Sequence, residues 1–178
     1  MAAMSEQPGR YERSFSGMVG AMVVLVLVVA GFVIFREINR NDPASPVKAL
    51  DITQSVEFAR EEARFPLLAP AELPEGWIAT SVRFDRGRQQ SWHLGMLTEE
   101  EKYVGLEQER KPLDDMVEQH VDEEAERGDD VVVDGQTWQT FTDEDDDLAL
   151  VRETRQVTTL LVGRVPQETF EELLATLE

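Results

Sequence analysis

The stretch WIATSVRF at residues 77–84 alternates apolar and polar side chains, and this alternation decides the fold class. Ile78, Val82 and the other even-numbered residues fall on one side of an extended chain, which is the period of a β-strand. Two similar segments follow at residues 91–97 and 102–108, joined by the short polar connections DRGRQQ and TEEE. Short polar connections favour hairpins, so the sequence predicts an antiparallel meander of three strands.

Helical patterns lie on either side of these strands. One helix is predicted over residues 51–64, and a second opens at Pro112 and runs to Gly128, where a C-cap would fall. A closing helix is predicted from Pro166, because proline is favoured in the first turn of a helix. Four further strands are predicted between the second and third helices, at residues 131–133, 136–141, 148–154 and 157–162.

These elements together predict an α+β domain in which an antiparallel sheet is flanked by helices, because strands that alternate in polarity bury one face beneath helices. Each half of the domain shows three strands followed by a helix, which suggests a β-β-β-α pseudo-repeat. The alternative is a chance similarity of order, since the two halves show no strict sequence period.

An apolar run without any charged residue, at residues 14–35, precedes this domain. As a helix it would reach about 33 Å, enough for a hydrocarbon core of about 30 Å, so it predicts a single-pass transmembrane helix. A cleaved signal peptide is the alternative, but no A-x-A pattern follows the run, which favours an uncleaved signal anchor. Two arginines lie on each side of the run, so the positive-inside rule leaves the orientation open.

The predicted layout has four parts: a short tail at residues 1–13, the transmembrane helix at 14–35, a proline-containing stalk at 36–50 and an acidic domain at 51–178. Residues 41–178 hold 13 Lys and Arg against 33 Asp and Glu, a formal charge of −20. This charge disfavours nucleic acid and suits cationic partners or a salty medium. Solubility is the simpler explanation. The absence of cysteine excludes disulfides and thiol chemistry.

The acidic segment DEDDD provides the metal candidate of the chain. Asp143, Asp145 and Asp147 offer the carboxylate oxygens that calcium prefers. The spacing differs from that of an EF-hand, and a solvated hairpin tip is the simpler interpretation. No cofactor is expected.

Four aromatic residues on predicted strands provide the ligand-binding candidate. Trp77, Trp92, Tyr103 and Trp138 can line a groove for a glycan, peptide or lipid, or they can form the core of the sheet, where aromatic residues are common.

A catalytic role is not expected from the sequence. The only histidines are His93 and His120; the first is expected to face solvent or the second face of the sheet, and the second to pack at the edge of its helix. Sequence motifs of serine hydrolases, zinc proteases and nucleotide-binding loops are absent.

Six short motifs occur in order along the chain: LPEGW at residues 73–77, TSVR at 80–83, WHLG at 92–95, YVGLEQ at 103–108, VDGQTW at 133–138 and LLVG at 160–163. In this order and spacing they resemble the bacterial family catalogued as Domain of Unknown Function 4245. The resemblance implies an actinobacterial protein with one membrane helix, a cytoplasmic tail and an extracytoplasmic domain. It brings no established activity.

The sequence therefore predicts a plasma-membrane protein whose acidic extracytoplasmic domain is a non-catalytic module that binds a protein or a component of the cell envelope. The alternative is a lipid or small-molecule carrier or receptor with an apolar cavity. The oligomeric state is left open.

Overall fold

The computed structural model describes residues 19–20, 22–26, 28–29 and 48–178, and the chain forms two compact units, Met1–Pro46 and Val47–Glu178. In the first unit the described residues are helical and exposed. Within the described ranges, no helix is both long and apolar enough to cross a membrane. The predicted tail, most of the predicted transmembrane helix and most of the predicted stalk lie outside these ranges.

The second unit is an α+β domain built on an antiparallel sheet of eight strands, which confirms the predicted fold class. The elements run in chain order as α1 (Thr53–Glu62), β1 (Ile78–Asp85), β2 (Ser91–Leu97), β3 (Tyr103–Glu109), α2 (Leu113–His120), β4 (Glu126–Arg127), β5 (Val131–Val133), β6 (Gln136–Thr142), β7 (Leu148–Glu153), β8 (Thr158–Gly163) and α3 (Gln167–Leu174). The seven predicted strands begin and end within one residue of the predicted positions, and β4 was not predicted.

The sheet joins two three-stranded meanders. Its order is β1-β2-β3-β8-β7-β6-β4, with β5 also paired to β6. The two meanders meet where β3 pairs with β8, with Gly105 opposite Val162 and Glu109 opposite Thr158. The first half shows the predicted three strands and a helix, whereas five strands lie between α2 and α3, of which β6, β7 and β8 form the second meander. Whether the two meanders reflect a true duplication stays a prediction.

The front face of the sheet, which carries Trp92, Leu94 and Met96 of β2, is covered by the main hydrophobic core. Helix α1 contributes Val56 and Ala59, and α3 contributes Phe170 and Leu173. Each fully buried aliphatic or aromatic side chain contributes about 1.5–3 kcal/mol. Burial on this face therefore holds α1 and α3 against the strands.

The back face is covered by α2 over strands β6 to β8. Leu113, Met116 and Val117 of the helix pack on four residues of the sheet, Phe141, Ala149, Val151 and Leu160. Helices α2 and α3 thus lie on opposite faces. The two-fold axis that exchanges the antiparallel strands β3 and β8 is perpendicular to the sheet, so it would place both helices on the same face. The strands therefore fit such a symmetry, but the positions of α2 and α3 do not.

Helix α2 ends at His120, so the prediction that it continues to Gly128 is wrong. Four of the five residues that follow Val121 are acidic, and negative charge at a helix C-terminus opposes the helix dipole. The chain instead forms β4, and the backbone N–H of Gly128 donates a hydrogen bond to the carbonyl of Thr140. A Cβ at Gly128 would come within 2.6 Å of Thr140 Oγ1, so glycine allows this close approach.

Candidate functional site

The part of the back face formed by β1, β2 and β3 carries polar side chains. We call Ser81, Arg83, His93, Tyr103 and Glu107 the polar patch. Arg83 is paired across the strands with His93, and His93 with Glu107, so these three lie in a row across the sheet. Arg83 and Tyr103 are exposed, Ser81 and His93 are half-buried, and Glu107 is buried. The patch is therefore reachable from solvent, and its carboxylate lies at the bottom.

A hydrogen-bonded chain connects three residues of the polar patch. His93 Nε2 lies 2.9 Å from Ser81 Oγ, and His93 Nδ1 contacts Glu107 Oε1. A carboxylate accepts hydrogen bonds, so in the neutral imidazole Nδ1–H donates to Glu107. Nε2 is then the acceptor for the hydroxyl proton of Ser81. This order of hydroxyl, imidazole and carboxylate is the arrangement that activates a serine nucleophile.

A β-bulge brings Ser81 to this face. Ala79 pairs with Met96, but Ser81 pairs with Gly95, so the register shifts by one residue at Thr80. The alternating pattern of the sequence placed Ala79 and Ser81 on one side, and that prediction is wrong because the extra residue separates them. Ala79 enters the front core, whereas Ser81 lies beside His93 on the back face.

Two glycines make room for the polar patch. Gly95 and Gly105 face each other across β2 and β3, and the hydroxyl end of the Tyr103 ring lies over both. A Cβ at Gly95 would overlap Ser81 Oγ, and a Cβ at Gly105 would lie 3.1 Å from the Tyr103 hydroxyl oxygen. A larger residue at Gly95 would therefore displace Ser81, and one at Gly105 would push the Tyr103 ring outward slightly.

The environment of Tyr103 favours its neutral form. Partial burial raises the pKa of this hydroxyl above its usual value, the charge of Glu107 raises it further, and Arg83 acts in the opposite direction. Tyrosine is protonated at neutral pH in any case, so Tyr103 can donate a hydrogen bond next to Ser81.

The second histidine also faces a buried glutamate of β3. His120 Nε2 lies 3.8 Å from Glu109 Oε1, while Lys111 Nζ lies 2.7 Å from Glu109 Oε2. His120 is the last residue of α2. Both histidines of the chain thus border the same strand, but Glu109 already has a lysine partner, whereas the contact of Glu107 is His93.

The candidate calcium residues form the tip of the β6–β7 hairpin. Asp143 Oδ1 accepts hydrogen bonds from the backbone N–H groups of Asp145 and Asp147, at 2.9 and 2.8 Å. Arg164 Nε lies 3.3 Å from Asp147 Oδ1, so a guanidinium already compensates this charge. Among the residues that the structure describes, no three acidic or histidine side chains are grouped so that they could hold a metal ion.

The four aromatic residues proposed to line a groove are not brought together. Trp92 is enclosed in the front core, while Tyr103 lies on the back face and is 46% exposed. Trp77 borders a cleft of about 290 Å³ whose other residues are mostly polar or charged, and Trp138 borders a separate one of about 140 Å³. The tryptophans thus act mainly as core residues, and Tyr103 is the member that joins the polar patch.

Sequence reasoning missed Ser81, Arg83 and Glu107 as site residues. The available signal was a charged residue, Glu107, in the middle of a predicted strand, where a carboxylate that becomes buried without a partner would be costly. The bulge that places Ser81 beside His93 has no clear sequence signature.

The fold and this site define a class of protein: an acidic α+β domain with a serine, histidine and glutamate chain on an accessible sheet face. The chain belongs to the family described as Protein of unknown function (DUF4245), whose model matches residues 10–177. The resemblance noted from the six motifs is thereby confirmed. No curated protein matches the sequence.

Proposed function

We propose that the protein is a membrane-tethered extracytoplasmic module that binds a glycan of the cell envelope at the polar patch. The observation that carries this proposal is the contrast within the back face, where α2 covers β6 to β8, whereas Arg83 and Tyr103 of the polar patch are exposed and Ser81 and His93 are half-buried.

The tether rests on the apolar run at residues 14–35. The family match begins at residue 10, so it includes this run together with the domain. A run of that length suits a single helix across the plasma membrane, with the preceding tail in the cytoplasm and the stalk at residues 36–50 outside. The short stalk would hold the domain close to the outer surface, where envelope polymers are abundant.

The chemistry of the polar patch suits a neutral, hydroxyl-rich ligand. Ser81, His93 and Arg83 offer hydrogen-bond donors and acceptors, and Tyr103 adds an exposed aromatic ring with a polar end. The domain's formal charge of −20 disfavours polyanions at longer range. A lipid carrier has less support, because the cleft beside Trp77 is lined mainly by polar and charged residues.

Binding is tested with the full-length protein in nanodiscs and purified cell-wall polysaccharide in a co-sedimentation assay. The variant Tyr103→Ala removes the exposed ring, and Arg155→Ala removes an exposed arginine of the β7–β8 hairpin as a matched surface change. We expect Tyr103→Ala to weaken binding about tenfold, the effect of losing about 1.4 kcal/mol, and Arg155→Ala to have no effect. Equal binding by all three proteins would contradict the proposal.

The tether is tested separately. Protease added to intact cells should remove the domain while leaving cytoplasmic proteins whole. Full protection of the domain would contradict the proposed orientation.

A further inference from the structure

We propose that Ser81 is a nucleophile, with His93 as its general base, and that the polar patch cleaves carboxylic esters. This inference goes beyond binding. The identity of the natural substrate as an O-acylated sugar rests on the proposed function, whereas the ester chemistry does not.

The hydroxyl of Ser81 contacts the imidazole of His93. A serine hydroxyl is a weak nucleophile unless a base removes its proton as it attacks. His93 Nε2 lies 2.9 Å from Ser81 Oγ, within the distance that a general base requires. Both side chains are half-buried, so a substrate can reach the hydroxyl while the imidazole is partly shielded from water.

Glu107 acts as a positioning residue for His93. Its side chain is buried, with the residue only 7% exposed, and it contacts His93 Nδ1. A buried carboxylate without a partner is costly, so this contact holds the imidazole with Nδ1–H toward the glutamate. That tautomer leaves the lone pair of Nε2 facing Ser81, and the carboxylate stabilises the imidazolium that forms during the reaction.

Tyr103 can stabilise the negative charge that develops on the substrate carbonyl oxygen during the reaction. Ser81 Oγ and the Tyr103 hydroxyl both border the space above Gly95. A tyrosine hydroxyl is protonated at neutral pH, and the raised pKa of Tyr103 extends this to higher pH. A hydrogen-bond donor at this position can stabilise the oxyanion of a tetrahedral intermediate, a contribution worth about 100-fold or more in other hydrolases.

The reaction balances with water as the second substrate. Ser81 Oγ forms a bond to the ester carbonyl carbon, and its proton passes to His93 Nε2. The C–O bond to the alcohol breaks, and the leaving alcohol takes that proton, which gives an acyl-serine. Water then attacks the acyl carbon as His93 accepts its proton; the carboxylic acid leaves, and the proton returns to Ser81.

A fluorophosphonate probe tests the nucleophile directly in the full-length protein in detergent. Ser81 Oγ would bond to phosphorus as fluoride leaves, giving a stable adduct that is located by peptide mass spectrometry. Ser81→Ala should abolish the adduct, and His93→Gln should slow labelling about 100-fold. The matched controls are Ser91→Ala, a serine on the same face, and His120→Gln, the other histidine beside a glutamate; both should label at the wild-type rate.

Glu107 requires a readout that loss of structure would not mimic. Glu107→Gln should slow labelling about tenfold or more while circular dichroism stays unchanged, because an amide can donate to Nδ1 and reverse the tautomer. Glu107→Asp, which keeps the carboxylate, should recover part of the rate. A folded wild-type protein that leaves Ser81 unlabelled would overturn the inference, and so would equal labelling rates in wild type and His93→Gln.

The two proposals fail in different ways. Polysaccharide binding without an adduct on Ser81 would refute the nucleophile and leave the binding module standing. An adduct on Ser81 without polysaccharide binding would refute the glycan ligand and leave the ester chemistry standing. The ester chemistry would be supported if the protein hydrolyses p-nitrophenyl acetate and this activity is lost in Ser81→Ala but kept in Ser91→Ala.

Discussion

The two halves of the back face have the same three-stranded layout and opposite surfaces. Strands β7 and β8 present Ala149, Val151 and Leu160, which are apolar and lie beneath α2. The corresponding strands of the other half, β2 and β3, carry His93, Glu107 and two glycines on this face. Apolar side chains on a sheet need a cover, whereas a satisfied polar chain can stay open to solvent. The comparison indicates that stability resides in the covered half and chemistry in the open half.

Met116→Ala should have the largest effect on stability. Its side chain is fully buried between α2 and the sheet, so truncation leaves a cavity that costs about 2–5 kcal/mol. Urea unfolding of the full-length protein measures this loss. Glu118→Ala, on the exposed side of the same helix, should change stability by less than about 0.5 kcal/mol. Similar losses in both variants would show that α2 does not stabilise this half by packing.

Gly95→Ala should connect stability and site chemistry in the open half. The added Cβ overlaps Ser81 Oγ and lies 3.1 Å from the Tyr103 ring, so overpacking should cost about 1–3 kcal/mol and displace the hydroxyl. The rate of fluorophosphonate labelling should fall because the Ser81 hydroxyl is displaced from His93.

The background variant Ser81→Ala provides the control for Gly95→Ala. With the hydroxyl removed, the same glycine substitution should cost measurably less, as a double-mutant cycle would detect. An additive result would mean that Gly95 is not needed to accommodate Ser81.

His93→Ala should destabilise the protein more than His120→Ala. Removing His93 leaves the Glu107 carboxylate buried without its histidine partner, at a cost of about 1–3 kcal/mol. Removing His120 leaves Glu109 paired with Lys111 at 2.7 Å, so the loss should be below about 1 kcal/mol. Chemical unfolding of both variants under the same conditions makes the comparison. A larger loss in His120→Ala would reverse the assignment of the two pairs.

The ionisation of Tyr103 should give the smallest effect. Its raised pKa means that the folded protein holds this proton at pH values where the unfolded chain has released it. Stability should therefore fall as pH rises from the usual tyrosine range through the raised value, and Tyr103→Phe should remove this dependence. The chain has two tyrosines, so Tyr11→Phe leaves only Tyr103 for an absorbance titration. The Tyr103→Phe variant retains Tyr11 and serves as the reference. If Tyr103 in the Tyr11→Phe variant titrates at or below the midpoint of this reference, the raised pKa of Tyr103 is contradicted.

The strands were predictable from sequence because half-buried strands alternate in polarity and polar hairpin loops separate them. Residues 91–97 and 131–133 were placed with the bounds that the structure has. The end of α2 was not predictable from apolar spacing, because Val121 and Ala125 continue the pattern while the acidic residues around them oppose a helix. Local electrostatics and pairing with β6 decided that boundary.

The candidate site was less predictable than the fold. His93 was expected to face solvent or the second face of the sheet, and it lies on the second face, but its partners come from two other strands. Contacts between strands depend on register, and the bulge at Thr80 changes the register by one residue. A sequence pattern shows which residues of a strand share a face. It does not show which residues of neighbouring strands lie opposite one another, and the hydrogen-bonded chain depends on those positions.

The central claim is that His93 presents an unprotonated Nε2 to Ser81. The ¹⁵N chemical shifts of the histidine rings in the full-length protein, at a pH where the imidazole is neutral, report which nitrogen carries the proton. His120→Gln assigns the spectrum, because the chain contains only two histidines. We predict that Nδ1 of His93 is protonated and Nε2 is not, and that Glu107→Gln changes this tautomer. A proton on Nε2 in the wild-type protein would contradict the account, because that nitrogen could not accept the proton of Ser81.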